Sequence, residues 1–402
     1  MTEFPALGST GGYILWLGVG ELSNPNGDSS NAAASFWQRQ FIESLSSLGR
    51  SVVVVSHVVR PRWPKSDLFV KGSHTHCNAN SFYQVSYLNF ILPRTKNNSL
   101  VNGYLEVVND IIRDRGAPKL IICYNLFPHT LSILQNVDQL APNGAILIMA
   151  DRPHPSLFPV GQDYSKIYRS FFGVAFLSWA DYKVFVLDES INAIHFEGGI
   201  KEVLPINAEG YVAIDTSMAT RYDGGSTVVM FCGSAGDHAG LSIFLASASF
   251  INTKNVEFWI AGGWNGNLNA IRSGSVKVRK LGFLSEDKLE YYLSRSDIFV
   301  NTNLSTASQN KHNFPSKLLR YLSFKKPIIS TWTEGLPPYY RGMINVVDSD
   351  SPEKLAEMID YIAKRPKDGL APCRRNLASF VDNHYWKRRV EFFLSWGFSS
   401  SR

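Results

Sequence analysis

The sequence predicts an α/β chain built from two doubly wound, Rossmann-like domains that face one another across a central cleft. Three observations carry this: a length of 402 residues, strand-length apolar runs without alternation, and helical periodicity between those runs. Such a length exceeds one ordinary core, so two domains of roughly 150–200 residues each are expected. Unalternating apolar strands suit parallel sheets covered on both faces, and parallel strands need helical crossovers between them.

The first half opens on the apolar run Tyr13-Ile-Leu-Trp-Leu17, which ends in Gly18-Val-Gly20 and a polar loop to Asn31. A helix is expected over Ala32 to Leu48, with Phe36, Phe41, Leu45 and Leu48 at helical spacing and Gly49 as its stop. Ser51 to Val55 reads as a buried strand, which completes a βαβ unit. Similar units follow: a helix over Leu100 to Arg115, a strand over Lys119 to Cys123, a helix around Leu131 to Leu140 and a strand over Ala145 to Met149. From Asn207 to Thr227 the chain turns to Gly, Ser, Thr and Asp with little periodicity. This places a first domain over residues 1–208, a linker over 209–226 and a second domain over 227–380.

Alternation restarts in the second domain. Strands are expected over Thr227–Cys232, Val256–Ala261, Asp297–Val300 and Pro327–Ser330. Helices are expected over Leu241–Phe250, Ser285–Leu293, Ser316–Phe324 and Pro352–Ala363. In sheets of this kind ligands bind outside the carboxyl ends of the strands.

Composition narrows the function classes. A hydrophobic share of 45% with 18% charged residues describes a folded globular chain. The 25 Phe, 17 Tyr and 9 Trp exceed what packing needs, leaving rings for ligands or a membrane surface. A net charge of +6 favours anionic partners: nucleotide diphosphates, lipid pyrophosphates or an acidic inner leaflet. Nothing in the pattern points to a nucleic-acid partner. Cys77, Cys123, Cys232 and Cys373 form no C-x-x-C pair, which argues against a disulfide framework or a zinc site. His74-x-His76-Cys77 lacks a fourth ligand, so no metal is expected. No signal peptide is read at the N-terminus, and Asp181 and Lys183 break the longest apolar segment, Phe171 to Leu187. A cytoplasmic protein is expected. Arg60-Pro-Arg-Trp-Pro-Lys65 with Leu68, Phe69 and Lys71 is either a solvated loop or a peripheral contact with an anionic membrane surface.

The most informative stretch runs from Lys311 to Ser330. Pro315 and Ser316 open a helix whose Leu318, Leu319 and Leu322 face inward, and Lys317 adds a cation to its amino end. That combination suits a diphosphate. Gly233-Ser-Ala-Gly236 and Asp237-His-Ala-Gly240 form a Gly-rich turn after a strand, where Gly233 and Ser234 let backbone approach a phosphate. Gly18 to Asn31 occupies the corresponding loop of the first domain.

Phe314-Pro-Ser-Lys317 followed by Leu-Leu-x-Tyr-Leu-Ser-Phe-x-Lys-Pro-Ile-Ile-Ser resembles the donor-site signature of GT-B glycosyltransferases. Flanking landmarks keep the order of that family: Phe258-Trp-Ile-Ala-Gly-Gly263, then Lys280-Leu-Gly-Phe-Leu-Ser285, then Ser296-Asp-Ile-Phe-Val300. The tail His384-Tyr-Trp-Lys-Arg-Arg389 resembles the family's C-terminal helix, which implies that residues 381–402 return to the first domain. Size and the Pro-Ser-Lys motif are most similar to the xanthan glucuronosyltransferase and, less closely, to the large retaining family of bacterial polysaccharide synthesis. The resemblance implies sugar transfer from a nucleotide diphosphate, UDP by expectation, to a glycan or lipid-linked acceptor, with no cofactor. It also implies a base contacted near Phe283; Pro315, Ser316 and Lys317 are expected to hold the diphosphate, and Arg320 to neutralise charge that develops on the leaving group.

One departure bears on mechanism. Retaining members carry two glutamates with seven residues between them, and the matching positions here are His312 and Arg320. Inversion is therefore favoured, which requires a general base on the acceptor side. Asp151, just after the strand ending at Met149, is the candidate base, with His154 as its substitute. The rival readings are a nucleotide-sugar epimerase of the same architecture and a non-catalytic nucleotide-sugar binder. No G-x-G-x-x-G opens either half, so a dinucleotide oxidoreductase is disfavoured.

Overall fold

The computed structural model describes residues 12–23, 32–77, 79–125, 127–134, 137–140, 145–149, 182–186, 200–205, 225–233, 236–263, 276–307, 310, 315, 317–333, 336, 338–365, 386–388, 390–391 and 394. The chain divides into two units, Met1–Asn207 with Trp386–Arg402, and Ala208–Tyr385. Of the expected linker, residues 209–224 lie outside the described ones.

Unit 1 holds β1 (Tyr13–Leu17), α1 (Ala32–Ser47), β2 (Ser51–Ser56), β3 (Phe69–Val70), β4 (Ser73–Cys77), β5 (Asn80–Gln84) and β6 (Tyr87–Leu88). It continues with α2 (Pro93–Arg115), β7 (Leu120–Tyr124), α3 (Pro128–Leu134), α4 (Val137–Leu140), β8 (Ala145–Met149), β9 (Tyr182–Val186) and β10 (Ile200–Pro205). Its main sheet runs β10-β9-β8-β7-β1-β2-β5-β4. Every pair is parallel except the hairpin of β4 on β5. β1 is the central strand and all five of its residues are buried, as a doubly covered position requires.

Several boundaries differ from the sequence reading. α2 begins at Pro93, two turns before the expected Leu100, because its first turns are polar and exposed while Pro93 sets the opening φ. The single expected helix around 131–140 is two short ones, α3 and α4. β4 and β5 were not expected, since Ser-His-Thr-His-Cys carries no apolar run and the strand is wholly exposed.

Part of the aromatic surplus packs the core of unit 1. Trp16 packs on Phe41 at 5.2 Å, and Trp37 meets Phe41, Tyr124 and Trp386 at 5.3, 5.5 and 5.3 Å between ring centroids.

Unit 2 holds β11 (Thr227–Cys232), α5 (Leu241–Ser247), β12 (Val256–Ala261), β13 (Lys277–Gly282), α6 (Glu286–Arg295) and β14 (Ile298–Asn301). It ends with α7 (Lys317–Ser323), β15 (Ile328–Thr331), β16 (Asn345–Val347) and α8 (Pro352–Ala363). All strands are parallel in the order β13-β12-β11-β14-β15-β16. Counted within the unit this is 3-2-1-4-5-6, the Rossmann order, with its reversal between β11 and β14. β13 and β16 escaped the sequence reading because edge strands need no continuous apolar run. Lys277-Val-Arg-Lys-Leu-Gly282 is charged and partly exposed, and β16 has three residues. Helix α5 stops at Ser247 and continues as a 3-10 turn over Ala248–Phe250.

Two histidines in unit 1 make it acid-sensitive. His57 and His129 are buried with ring centroids 5.1 Å apart, and His129 stacks on Tyr104 at 4.1 Å. Burial pulls His57 down to about 3 and His129 well below the usual imidazole range. Below pH about 6.5 the unfolded chain therefore binds protons that the folded chain refuses, so stability should fall steadily towards pH 3. His129→Phe keeps the stacking and removes one proton site. Urea unfolding across this range should show a shallower loss for the variant; a slope equal to that of the wild type would refute the assignment.

Candidate functional site

The carboxyl edge of the sheet in unit 2 gathers several of the residues singled out by sequence. Gly233 follows β11 with φ +142°, a conformation that disfavours a side chain. Its amide donates to Ala261 O at 3.0 Å, and its carbonyl lies so close to Gly262 that a Cβ there would sit 2.0 Å from it. The Gly262 amide in turn donates to Gly282 O at 2.7 Å. Three strand ends are thus held in contact through glycines. Beside them Phe283 is 88% exposed, and its ring lies over Gly263, where a Cβ would be 2.6 Å away.

Lys317 reaches this edge from the other side of the strand reversal. Its Nζ lies 4.3 Å from the centroid of Phe231 and 3.7 Å from where a Gly233 Cβ would be. The aliphatic stem is half-buried, but the Nζ itself is shielded from solvent and has no hydrogen-bond partner among the described residues. Burial lowers its pKa to about 8. Tyr321, one turn on, fixes the helix to the strand: its hydroxyl accepts from the Cys232 amide at 2.9 Å and its ring stacks on Phe299 at 4.7 Å. The sequence reading quoted Tyr321 within the motif but gave it no role.

The expected seat is modified in one respect. Helix α7 begins at Lys317 and spans seven residues, with Pro315 joined through Leu318 N to Pro315 O at 2.9 Å. So short a helix contributes little dipole, and the attraction for an anion rests on the lysine cation. Arg320 is also engaged: its Nη2 donates to Glu286 Oε2 at 2.5 Å. Glu286 is a partner that sequence reasoning did not find, because 34 residues separate the pair.

The remainder of the Gly-rich turn is braced rather than open. A Cβ on Gly240 (φ +63°) would meet Thr302 O at 1.8 Å, Thr302 Oγ1 donates to Ala239 O, and Leu304 N donates to His238 O. Ser234, Ser316, His312, Asp151 and His154 lie outside the described residues.

The corresponding loop of unit 1 is built differently. Gly18 N donates to Val55 O, Gly18 O accepts from Tyr104 Oη at 2.7 Å, and Gly20 N donates to His57 O. Gln38 grips Val19 at both ends, its Oε1 accepting from Val19 N at 3.1 Å and its Nε2 donating to Val19 O at 2.9 Å. The amides of Gly18, Val19 and Gly20 are therefore occupied within unit 1, and they are not free to cradle a phosphate. This removes the sequence expectation for the start of that loop; residues 24–31 lie outside the described ones.

Among the described residues no group of three His, Cys, Asp or Glu side chains gathers as a metal site. His74 instead stacks on Tyr83 at 3.9 Å, and the His76 ring nitrogen is 3.0 Å from Ser81 Oγ.

Two Rossmann-like units, the second with a cation and a glycine-rich edge at its strand reversal, make up the GT-B fold. Residues 226–365 match the family model described as Glycosyl transferases group 1. A glycosyltransferase from Rickettsia africae superposes with a TM-score of 0.65 at 13% identity, covering 98% of this chain and 100% of that one. Sucrose-phosphate synthase from Thermosynechococcus elongatus gives 0.67 at 15% identity, covering 97% and 100%. An Anabaena protein solved in complex with UDP and glucose gives 0.59 at 12% identity, covering 96% and 99%. No curated protein sequence matches the chain significantly. At these identities the superpositions establish the GT-B fold, and the specific likeness to the xanthan enzyme is not among the findings.

A desolvated, unpaired lysine has a measurable cost. Its folded pKa of about 8 lies below the ordinary 10.5, so between those values the unfolded chain takes up the proton first, and the penalty is complete below pH 8. Lys317→Met should therefore stabilise the ligand-free protein at neutral pH by up to about 3 kcal/mol. The gain should disappear by pH 10.5. Chemical denaturation at the two pH values checks this, and equal stability of variant and wild type at neutral pH would contradict it.

Proposed function

We propose that the chain transfers a sugar from a nucleotide diphosphate, UDP in preference, to a glycan or lipid-linked acceptor of surface or exopolysaccharide synthesis. The observation that carries this reading is the shielded Lys317 ammonium, which has no hydrogen-bond partner among the described residues and is set beside Gly233 at the strand reversal of unit 2. A bound diphosphate supplies the missing counter-charge, and Gly233 leaves room for its approach. Pro315 and Ser316 precede the lysine and, with Ser234, complete the proposed diphosphate seat. The exposed ring of Phe283 offers a face on which a nucleobase stacks. A structural neighbour is bound to UDP and glucose, which supports the choice of donor class.

In the proposed reaction an acceptor hydroxyl oxygen forms a bond to the anomeric carbon while the bond from that carbon to the diphosphate breaks. The hydroxyl proton passes to Asp151, or to His154 in its place, and the nucleoside diphosphate departs with the electron pair. Lys317 stabilises the charge that develops on the leaving diphosphate. Arg320 stands where retaining relatives carry a glutamate and is held by Glu286, so inversion is the favoured outcome. Arg320, expected to neutralise charge on the leaving group, shares its own charge with Glu286. With those glutamates replaced, a non-catalytic nucleotide-sugar binder is the second reading.

Thermal-shift and calorimetric titration with UDP-, GDP- and ADP-sugars test the donor site. Lys317→Ala should weaken the best nucleotide by roughly 10- to 100-fold. Phe283→Ala should weaken it by about 3- to 10-fold through lost stacking. Asp151→Asn should leave donor affinity intact and abolish transfer to added acceptor. Unchanged affinity in Lys317→Ala would sink the placement of the donor site, and transfer that survives Asp151→Asn would remove that residue as base.

A further inference from the structure

Unit 1 carries a second feature that donor binding does not use. Between β2 and α2 the chain builds a small projecting lobe around Asn89, which is fully buried. Asn89 Nδ2 donates to Pro61 O, Ser66 Oγ and Asp67 O at 2.7, 2.9 and 3.1 Å. Its backbone accepts from Trp63 N and donates to Leu68 O, while Phe69 and Val70 pair with Leu88 and Tyr87 in the β3–β6 ribbon. Trp63 stacks on Phe90 with ring planes 9° apart. One polar residue thus ties three segments into an ordered scaffold.

The outside of that scaffold is apolar. Phe69 is 58% exposed, Leu92 56%, Ile91 49%, Leu68 42% and Trp63 40%. These five make up more than half of the nine large exposed hydrophobics among the described residues, and they come from one stretch of 30 residues, 63–92. Single exposed apolar residues are ordinary, but a cluster on a braced support marks a contact surface.

Charge identifies the partner. Arg60, Arg62, Lys65, Lys71, Arg94 and Lys96 surround the apolar residues, with Asp67 the single carboxylate between positions 60 and 96. Arg60, Arg62, Lys65, Lys71 and Arg94 are exposed, and none of them forms an ion pair among the described residues. Lys96 donates to Arg60 O and lies over the Tyr87 ring, which brings the two ends of the stretch together. Arg94 and Lys96 also stand in the opening turns of α2, where the helix dipole repels cations and no acidic residue offsets them. An external anion relieves that arrangement.

We infer that this lobe docks on an anionic lipid bilayer, with Phe69, Leu68, Ile91 and Leu92 entering the acyl boundary and the surrounding cations meeting the headgroups. The aliphatic members favour a bilayer over a nucleic acid, since Leu and Ile side chains offer bases no stacking platform. Trp63 suits the headgroup depth. The inference does not depend on sugar transfer. It would bring a lipid-linked acceptor to the same surface as the protein.

Flotation of the full chain with vesicles of phosphatidylcholine plus phosphatidylglycerol, beside vesicles of phosphatidylcholine alone, tests it. Binding should require the anionic lipid, weaken with added salt and fall by about five-fold for each of Arg60→Gln and Arg62→Gln. Phe69→Ser with Leu92→Ser should reduce it by at least about ten-fold. These side chains are exposed, so all variants should keep the wild-type unfolding midpoint and nucleotide affinity; Lys71→Glu serves as a second charge variant should one of them misfold. Equal flotation with neutral and anionic vesicles, undiminished binding by the variants, or binding to a single-stranded oligonucleotide with no flotation on anionic vesicles would overturn the inference.

Discussion

A positive charge held out of water, with no counter-charge among the described residues, is the condition on which the second unit turns. Lys317 lies over Phe231 with its ammonium shielded, and Tyr321 locks the helix that carries it to the end of β11. The surrounding parallel sheet supplies the rigidity that makes this tolerable. Its central strands β11 and β14 are buried apart from Thr227, which gives the ends that meet at the reversal a close-packed support. Structure bought at the expense of stability belongs, as a rule, to a site that something else completes.

The two units treat the same topological position in opposite ways. After β11 the chain leaves a glycine facing a cation. After β1 it closes every amide of Gly18, Val19 and Gly20 on unit 1 itself, through Gln38, Tyr104 and neighbouring carbonyls. Both loops look alike as sequence, a strand followed by glycines, because pattern records where backbone can bend and not where its hydrogen bonds go. The difference lies in Gln38 and Tyr104, respectively 20 and 86 residues from Gly18. Long-range pairing of this kind is the part of a site that periodicity does not reveal.

Much of the fold was legible for a physical reason. Central parallel strands must be apolar throughout, so Tyr13–Leu17, Thr227–Cys232 and Val256–Ala261 announce themselves, and Pro352–Ala363 is marked by its Ser351 cap and proline. Edge elements are free of that demand. β4, β13 and β16 are polar, charged or very short, and they were missed for that reason. At the site, Gly233 and Lys317 could be found because a glycine after a buried strand and a cation at a helix's amino end are unusual where they stand, and Phe283 through the resemblance of its segment. Glu286 and Tyr321 could not, since a glutamate in a helix's first turn and a tyrosine on its inner face are ordinary residues until their partners are known.

The Arg320–Glu286 pair carries a consequence for redesign. Installing a carboxylate at position 320, to imitate the retaining enzymes this chain resembles, would set two anions against each other at the distance now bridged by one hydrogen bond. A single replacement would therefore meet electrostatic resistance before any change in stereochemistry could be assessed. The two positions form one exchangeable unit: conversion of the catalytic style has to start from a reversed pair, with the cation moved to 286. Sequence surveys that score position 320 alone would overlook that constraint.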